Sequence, residues 1–132
     1  MSDEQKTKGD GRKAGSYKDL LVWQKGIHLV KQVYQITGEF PASEKYGLAS
    51  QMQRAAVSIP SNIAEGQARH TTKEFIQFIS HAEGSAGELE TQLFIATELG
   101  YCSSARNQPA LQTVDEVRRM LHALHYKLLA HH

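Results

Sequence analysis

The stretch that decides the fold is residues 71–100, TTKEFIQFISHAEGSAGELETQLFIATELG. Thr71 with Glu74 three residues later forms a capping box, a pattern that begins helices. Apolar residues then recur at steps of three and four along one helical face: Phe75, Ile79, Ala82, Ala86, Leu89, Leu93 and Ala96. Gly100 ends the segment, with Tyr101 placed for a Schellman-type contact. The stretch predicts one long amphipathic helix.

A first helix is predicted upstream, with Ser16 and Asp19 as a capping box and Gly38 as its end. Its predicted buried face has the same spacing: Leu20, Trp23, Ile27, Val30 and Tyr34. Further apolar residues widen the apolar surface of this helix and of helix three: Leu21, Val22, Leu29, Val33, Ile36, Ile76, Phe94 and Ile95. A helix that is apolar on two sides needs partners on two sides, so we expect a subunit contact. Thicker packing within one chain is the alternative.

Two more helices follow from the same spacing. The second opens at Pro41 and Ser43 and has this face: Ala49, Met52, Ala56, Ile59 and Ile63. The fourth has Asn107 as cap, Pro109 in its first turn, and this face: Val114, Val117, Leu121, Leu124 and Leu128. Short connections predict an all-α protein, an antiparallel up-down four-helix bundle, as one domain over residues 17–132. Residues 1–16, rich in Gly, Lys and Asp, predict a disordered tail.

Three residues break the rules of helix formation. Pro60 lies inside the second helix and removes a backbone hydrogen bond, so we predict a kink in a continuous helix. A restarted segment capped by Asn62 and Glu65 is the alternative. Gly84 and Gly87 each cost about 1 kcal/mol relative to alanine. We predict that they admit a neighbouring helix at close range; a flexible joint is the alternative.

Motifs for catalysis or cofactor binding are missing from the sequence. Cys102 is the single cysteine, and no histidine is placed to activate it. The Glu-x-x-His pairs of metal-binding bundles do not occur, and we expect His122 and His125 to face solvent. We therefore expect no enzyme activity, no cofactor and no metal. The lack of a signal segment or of a membrane-spanning apolar run predicts a cytoplasmic protein without membrane contact.

The charge is nearly balanced, with a formal net charge of +1 at pH 7. The net charge therefore does not indicate a basic surface for binding nucleic acid. Candidates for nucleic-acid contact are nevertheless the basic residues of helices one and four: Lys18, Lys25, Arg118, Arg119 and Lys127. The alternative is that these side chains pair with the acidic residues of helix three.

Three segments carry a family resemblance: DLLVWQK at 19–25, RAAVSIPSNIAEG at 54–66, and GS at 84–85 followed by ELETQL at 88–93. In this order they resemble the 23S rRNA intervening-sequence protein family, also called the four-helix-bundle protein family. The resemblance implies a ring-like homopentamer. The segments are also similar to the accessory protein of diversity-generating retroelements, a pentameric barrel that binds nucleic acid and a reverse transcriptase.

The resemblance also implies roles for polar residues. Arg54, Asn62, Glu65, Glu88 and Glu90 match polar positions of the family motifs, and we interpret them as structural or interfacial. Where the family often has a basic pair, this chain has Gln53 before Arg54, which weakens the case for nucleic acid. The leading hypothesis is a non-catalytic oligomeric scaffold or adaptor, linked to rRNA intervening sequences or to retroelement-type machinery. The alternative is direct, low-specificity binding of RNA or DNA.

Overall fold

The computed structural model describes residues 16–131, and these residues are almost entirely helical. The four α-helices are α1 (Leu21–Thr37), α2 (Leu48–Gln67), α3 (Thr72–Glu98) and α4 (Ser104–Ala130). Short 3-10 turns at Tyr17–Asp19 and Ala42–Glu44 precede α1 and α2. Residues 16–131 contain no strand, which confirms the all-α prediction. The predicted tail lies, apart from Ser16, outside the described residues.

The helices share one hydrophobic core. α1 packs against α2 and α4, α2 packs against α3, and α3 packs against α4. The largest fully buried side chains come from all four helices: Leu29, Ile36, Met52, Ile59, Ile63, Ile79, Leu89, Leu93 and Leu121. α2 continues through Pro60 without a break, so a restarted segment is not formed. The up-down order and a kink at Pro60 stay predictions.

The predicted buried face of α1 is wrong. The residues that reach the core are Val22, Gly26, Leu29, Val33 and Ile36. Ile27 and Tyr34 are exposed, while Trp23 and Val30 are only partly buried. Gly26 lies on this face, and a Cβ atom there would be 3.4 Å from the ring of Pro60, which is ordinary van der Waals contact. Gly26 and Pro60 thus mark where α1 packs against α2.

The helix ends agree with the sequence for α3 and differ for α4. Thr71 accepts a hydrogen bond from the Glu74 backbone N–H at 3.1 Å, as predicted. Gly100 has φ +77°, and the Tyr101 N–H donates to the Ala96 carbonyl at 3.0 Å, which completes a Schellman motif. α4 instead begins one turn earlier than predicted, because Ser103 caps it through the Arg106 N–H.

Asn107 is therefore not a cap. It lies inside α4 with no exposed surface, and its Nδ2 donates to the Leu93 carbonyl at 2.7 Å and to the Thr97 hydroxyl at 3.0 Å. A buried amide needs such partners, since an unsatisfied one costs about 1–3 kcal/mol. Asn107 therefore joins α4 to α3 in the core.

Gly84 and Gly87 do not admit a neighbouring helix of the same chain. A Cβ atom at either position would meet no atom within 4 Å. The glycine that does permit close approach is Gly66, near the end of α2. A Cβ atom there would lie 2.8 Å from both Phe75 Cδ1 and Phe78 Cβ of α3.

Candidate functional site

Polar motif residues line the contact between α2 and α3. The hydroxyls of Ser58 and Ser85 form a short hydrogen bond across the two helices. Asn62 donates from Nδ2 to the Ser58 carbonyl at 2.7 Å. The serine pair joins α2 to α3, whereas the hydrogen bond of Asn62 lies within α2, and the structural role of Asn62 stays a prediction. Pro60, two residues after Ser58 in α2, is buried against α1.

Next to this contact between α2 and α3, Arg54 and Glu88 border a shallow surface pocket. Gln51, Ala55 and Ser58 complete its lining. No ion pair between Arg54 and Glu88 is formed, and Arg54 is exposed without a hydrogen-bonded partner among the described residues. The pocket therefore presents a guanidinium and a carboxylate to whatever packs against this surface.

Gln92 adds an unsatisfied group one turn beyond the pocket. Its Nε2 donates to Glu88 Oε2 at 3.3 Å. Its Oε1 is buried and has no hydrogen-bond partner in the described part of the chain. The residue as a whole is 5% exposed. Gln92 lies inside the motif segment 88–93, but its burial could not be read from the sequence because glutamine is usually exposed.

The remaining acidic motif residues make ion pairs. Glu65 binds Arg69, just beyond the end of α2, at 2.7 Å, and Glu90 binds Arg118 of α4 at 3.0 Å. The first pair is local, whereas the second joins α3 to α4. Both agree with a structural role, although exposed pairs contribute only about 0–1 kcal/mol.

The predicted nucleic-acid residues do not form one free basic surface. Lys25 binds Glu116 at 3.1 Å, and Arg119 binds Asp115 at 3.0 Å. Arg118 is held by Glu90 of α3. Lys18 and Lys127 are exposed and make no ion pair with another described residue. The pairing with helix three that was predicted as the alternative is thus present at Arg118, whereas Lys25 pairs with Glu116 of α4 instead.

Glu83 was not singled out by the sequence, yet it joins α3 to α4. Its Oε1 lies 2.8 Å from Nδ1 of His125, and its Oε2 lies 2.7 Å from Nδ1 of His122. The expectation that both histidines face solvent is wrong for His125, whose side chain is 25% exposed, whereas His122 is 68% exposed and does face solvent. The i, i+3 spacing of the two histidines was the available signal, but nothing in the sequence pointed to Glu83 as their partner.

Neither this cluster nor Cys102 indicates chemistry. Over residues 16–131 no set of three or more acidic, histidine or cysteine side chains could hold a metal ion. Burial raises the pKa of the Cys102 thiol, and this effect outweighs the nearby Arg106 guanidinium. The thiol is thus kept protonated. No described helix is long and apolar enough to cross a membrane.

Two outward surfaces carry exposed apolar side chains. We call the exposed Ile27 and Tyr34, together with the partly buried Trp23 and Val30 that pack against the core beside them, the α1 surface. The exposed Phe94, Ile95 and Leu99 form the α3 surface. Ile27 is 45% exposed and Phe94 is 54% exposed. Earlier on α3, Gly84 and Gly87 have no side chain, and a Cβ atom at either position would meet no atom within 4 Å. These surfaces have no covering element among the described residues.

The fold is that of a small helical bundle with a polar contact between α2 and α3. The family model described as 23S rRNA-intervening sequence protein matches residues 18–123, and the chain belongs to this family. Among solved structures, a protein of unknown function from the S23 ribosomal protein family of Bacteroides thetaiotaomicron is similar, with a TM-score of 0.75 and 19% identity. The match covers 80% of this chain and 96% of that one. No curated protein matches.

Proposed function

We propose that this protein is a non-catalytic scaffold or adaptor that assembles into a closed homo-oligomer in the cytoplasm. It presents its repeated outer surface to RNA-linked machinery, including reverse-transcriptase complexes of the retroelement type. The observation that carries the proposal is the pair of exposed apolar surfaces on α1 and α3. The link to RNA rests on the family to which the chain belongs and on the quoted motifs.

The two surfaces are suited to a repeating contact. α1 and α3 each pack chiefly against α2 and α4 rather than against each other, so their outer sides face different directions. We take the helices to alternate in direction, which is supported by the contacts of Ser58 with Ser85 and of Gly66 with Phe75. Two different surfaces of one chain can bind each other in neighbouring copies. Where the rotation from one copy to the next adds up to a full turn, these contacts form a closed ring.

The α3 surface offers room for such a neighbour. Gly84 and Gly87 leave the helix backbone uncovered, and Phe94 follows as an apolar anchor. Aromatic anchors and desolvated apolar residues dominate the energy of protein interfaces. We propose five copies per ring, which is the number that the motif resemblance implies.

Mass measurement in solution tests the assembly. Light scattering coupled to gel filtration should give about five times the chain mass of 14.7 kDa. Phe94→Lys and Ile27→Lys should each lower the mass, because a charge placed in either surface opposes burial. Tyr46→Lys is the matched control: this side chain is 88% exposed and lies outside both surfaces, so the mass should stay unchanged. A wild-type monomer at micromolar concentration would contradict the proposal.

Direct, low-specificity binding of RNA or DNA is the second candidate function. The exposed Lys18 and Lys127 favour it, and a closed ring would repeat them once per copy. The ion pairs at Lys25, Arg118 and Arg119 count against it, because they neutralise most of the basic candidates. We therefore propose binding in the range of about 10⁻⁴–10⁻⁶ M at physiological salt, which is typical of non-specific contacts.

Anisotropy titrations with a labelled structured RNA separate the two candidates. Binding through phosphates should weaken steeply as salt rises, and the Lys18→Gln/Lys127→Gln variant should weaken it further at constant mass. Lys45→Gln is the control because this lysine is exposed, lies over the ring of Tyr46 and is not one of the predicted nucleic-acid residues. If no binding occurs even at low salt, the protein–protein adaptor remains.

A further inference from the structure

The α1 surface carries a positive charge that no described residue neutralises. Lys31 follows Ile27 by four residues and precedes Tyr34 by three, so the three side chains lie on one face of the helix. Lys31 is exposed and forms no ion pair with another described residue. By contrast, Lys25 of the same helix is held by Glu116 of α4. The α1 surface therefore combines apolar residues with an unpaired cation.

The outer side of α3 carries the opposite charge. Glu88 is exposed, follows Gly84 by four residues and lies next to Gly87. Its carboxylate accepts a hydrogen bond from Nε2 of Gln92 at 3.3 Å, and this donor is neutral. Arg54 borders the same shallow pocket but forms no ion pair with Glu88. Within residues 16–131 the Glu88 carboxylate therefore lacks a cationic partner, and its exposure leaves it open to a cation from another molecule.

Contacts within the bundle relate positions on α1 to positions on α3. Gly26 of α1 meets Pro60 of α2, and Ser58, two residues before Pro60, is hydrogen-bonded to Ser85 of α3. We take neighbouring helices to run in opposite directions, as in the proposed assembly. A step of two residues along α2 then corresponds to a step of two residues back along α3. Gly26 is therefore level with Glu83, measured along the axis of the bundle.

Equal heights matter because a ring that is closed by rotation alone has no displacement along its axis. With that axis along the helices, each residue of α1 meets the residues of a neighbouring α3 that lie at its own height. At about 1.5 Å per helical residue, Ile27 is level with Gly84, and Lys31 is level with Glu88. We propose that Lys31 of one copy pairs with Glu88 of the next copy, and that Ile27 packs on Gly84 and Gly87 beside this pair. The inference rests on the proposed assembly and names the contact through which one copy recognises the next.

The apolar and charged parts of this contact have different effects. Gly84 and Gly87 weaken a helix relative to alanine, and no atom of their own chain lies within 4 Å of a Cβ at either position. Packing of Ile27 on this uncovered backbone removes apolar surface from water. The ion pair sets the register, because a shift by one turn would move Lys31 about 5 Å away from Glu88. Opposite charges thus select the height at which the apolar residues meet.

Charge reversal tests the pair. Lys31→Glu and Glu88→Lys should each raise the concentration at which half of the assembly dissociates by about tenfold, because like charges then face each other. The double variant Lys31→Glu/Glu88→Lys restores opposite charges and should recover most of this loss. Lys127→Glu is the matched control: this lysine of α4 is exposed, makes no ion pair with a described residue and lies outside both surfaces, so the midpoint should stay unchanged. Light scattering over a dilution series gives the midpoint, and circular dichroism checks that every variant is folded.

Disulfide cross-linking tests the register independently of charge. In a Cys102→Ala background, Ile27→Cys/Gly84→Cys should oxidise to covalent multimers, because a disulfide needs Cα atoms within about 7 Å. Tyr34→Cys/Gly84→Cys is the control, since these positions are about 10 Å out of register and should stay unlinked. If wild type assembles but the double charge variant recovers nothing, or the control pair links as well as the matched pair, the inference is overturned while the assembly stands. A monomeric wild type overturns both.

Discussion

The amide of Asn107 in α4 donates to the backbone carbonyl of Leu93 in α3, over 2.7 Å, inside a core with no solvent exposure. The same nitrogen reaches the Thr97 hydroxyl at 3.0 Å. Two residues fourteen positions apart are thereby locked in register by one polar side chain among apolar ones. Such a contact restricts how α4 can slide along α3, because a shift would bury an amide without partners.

Replacing Asn107 should therefore cost stability. We expect Asn107→Ala to lower the free energy of unfolding by about 2–4 kcal/mol, since it removes the two hydrogen bonds from this amide to α3 and opens a small cavity. Denaturant titration followed by circular dichroism measures this. Gln108→Ala is the control on the exposed side of the same turn. A loss below 0.5 kcal/mol would falsify the role given to this amide.

Gly66 and Gly84 should respond in opposite ways to the same substitution. Gly66→Ala should destabilise by about 1–3 kcal/mol, because the new methyl group overlaps Phe75 and Phe78. Gly84→Ala should stabilise the protomer by about 0.5–1 kcal/mol, since the space there is open and alanine favours helix. Thermal melts of the two variants under conditions of equal assembly make the comparison. Equal shifts of the same sign would contradict it.

Gly87 separates folding from assembly. A leucine at this position meets no atom of its own chain within 4 Å at Cβ, so the isolated protomer should tolerate it. If a neighbouring copy covers α3, Gly87→Leu should reduce the mass of the assembly at unchanged helicity. Light scattering and circular dichroism on the same sample provide both readouts. Loss of helicity together with loss of mass would instead locate the clash inside the chain.

Cys102 should be slow to react with thiol reagents. Burial raises the pKa of its thiol, and only the thiolate is the nucleophile. At pH 8 the native protein should therefore react far more slowly than free cysteine, and its rate should rise with pH over a higher range. Unfolding in guanidinium should restore the ordinary rate. Fast labelling of the native protein at neutral pH would show that the thiol is accessible.

The sequence predicted α3 almost completely because its signals agree. Thr71, the apolar face and Gly100 all indicate the same boundaries, and each is satisfied by local interactions within the helix. The start of α4 was misplaced because Ser103 and Asn107 are both good caps. Only the packing of α3 against α4 decides between them, because it buries the Asn107 amide in the core.

The spacing of apolar residues could not predict which face of α1 is buried. Two apolar faces interleave in this helix, one through Trp23 and Ile27 and the other through Val22 and Leu29. Both faces have helical spacing, so the pattern alone does not predict which of them is buried in the core. The choice is made by the packing of α1 against α2 and α4, in which the second face, with Gly26 next to Pro60 of α2, meets the core. Likewise, the cluster around Glu83 depends on the alignment of two helices that are distant in sequence.

The orientation of α1 also leaves the single tryptophan of the chain, Trp23, partly buried at the edge of the core, next to the exposed residues of the α1 surface. Its ring meets that of Tyr17 edge to face, with centroids 5.3 Å apart. Intrinsic fluorescence thus comes from a partly exposed indole at the edge of the core. Dilution alone should shift the emission of a self-associating form toward that of a water-exposed indole while the helices stay folded. The protein carries its own optical probe of association, and no label needs to be attached.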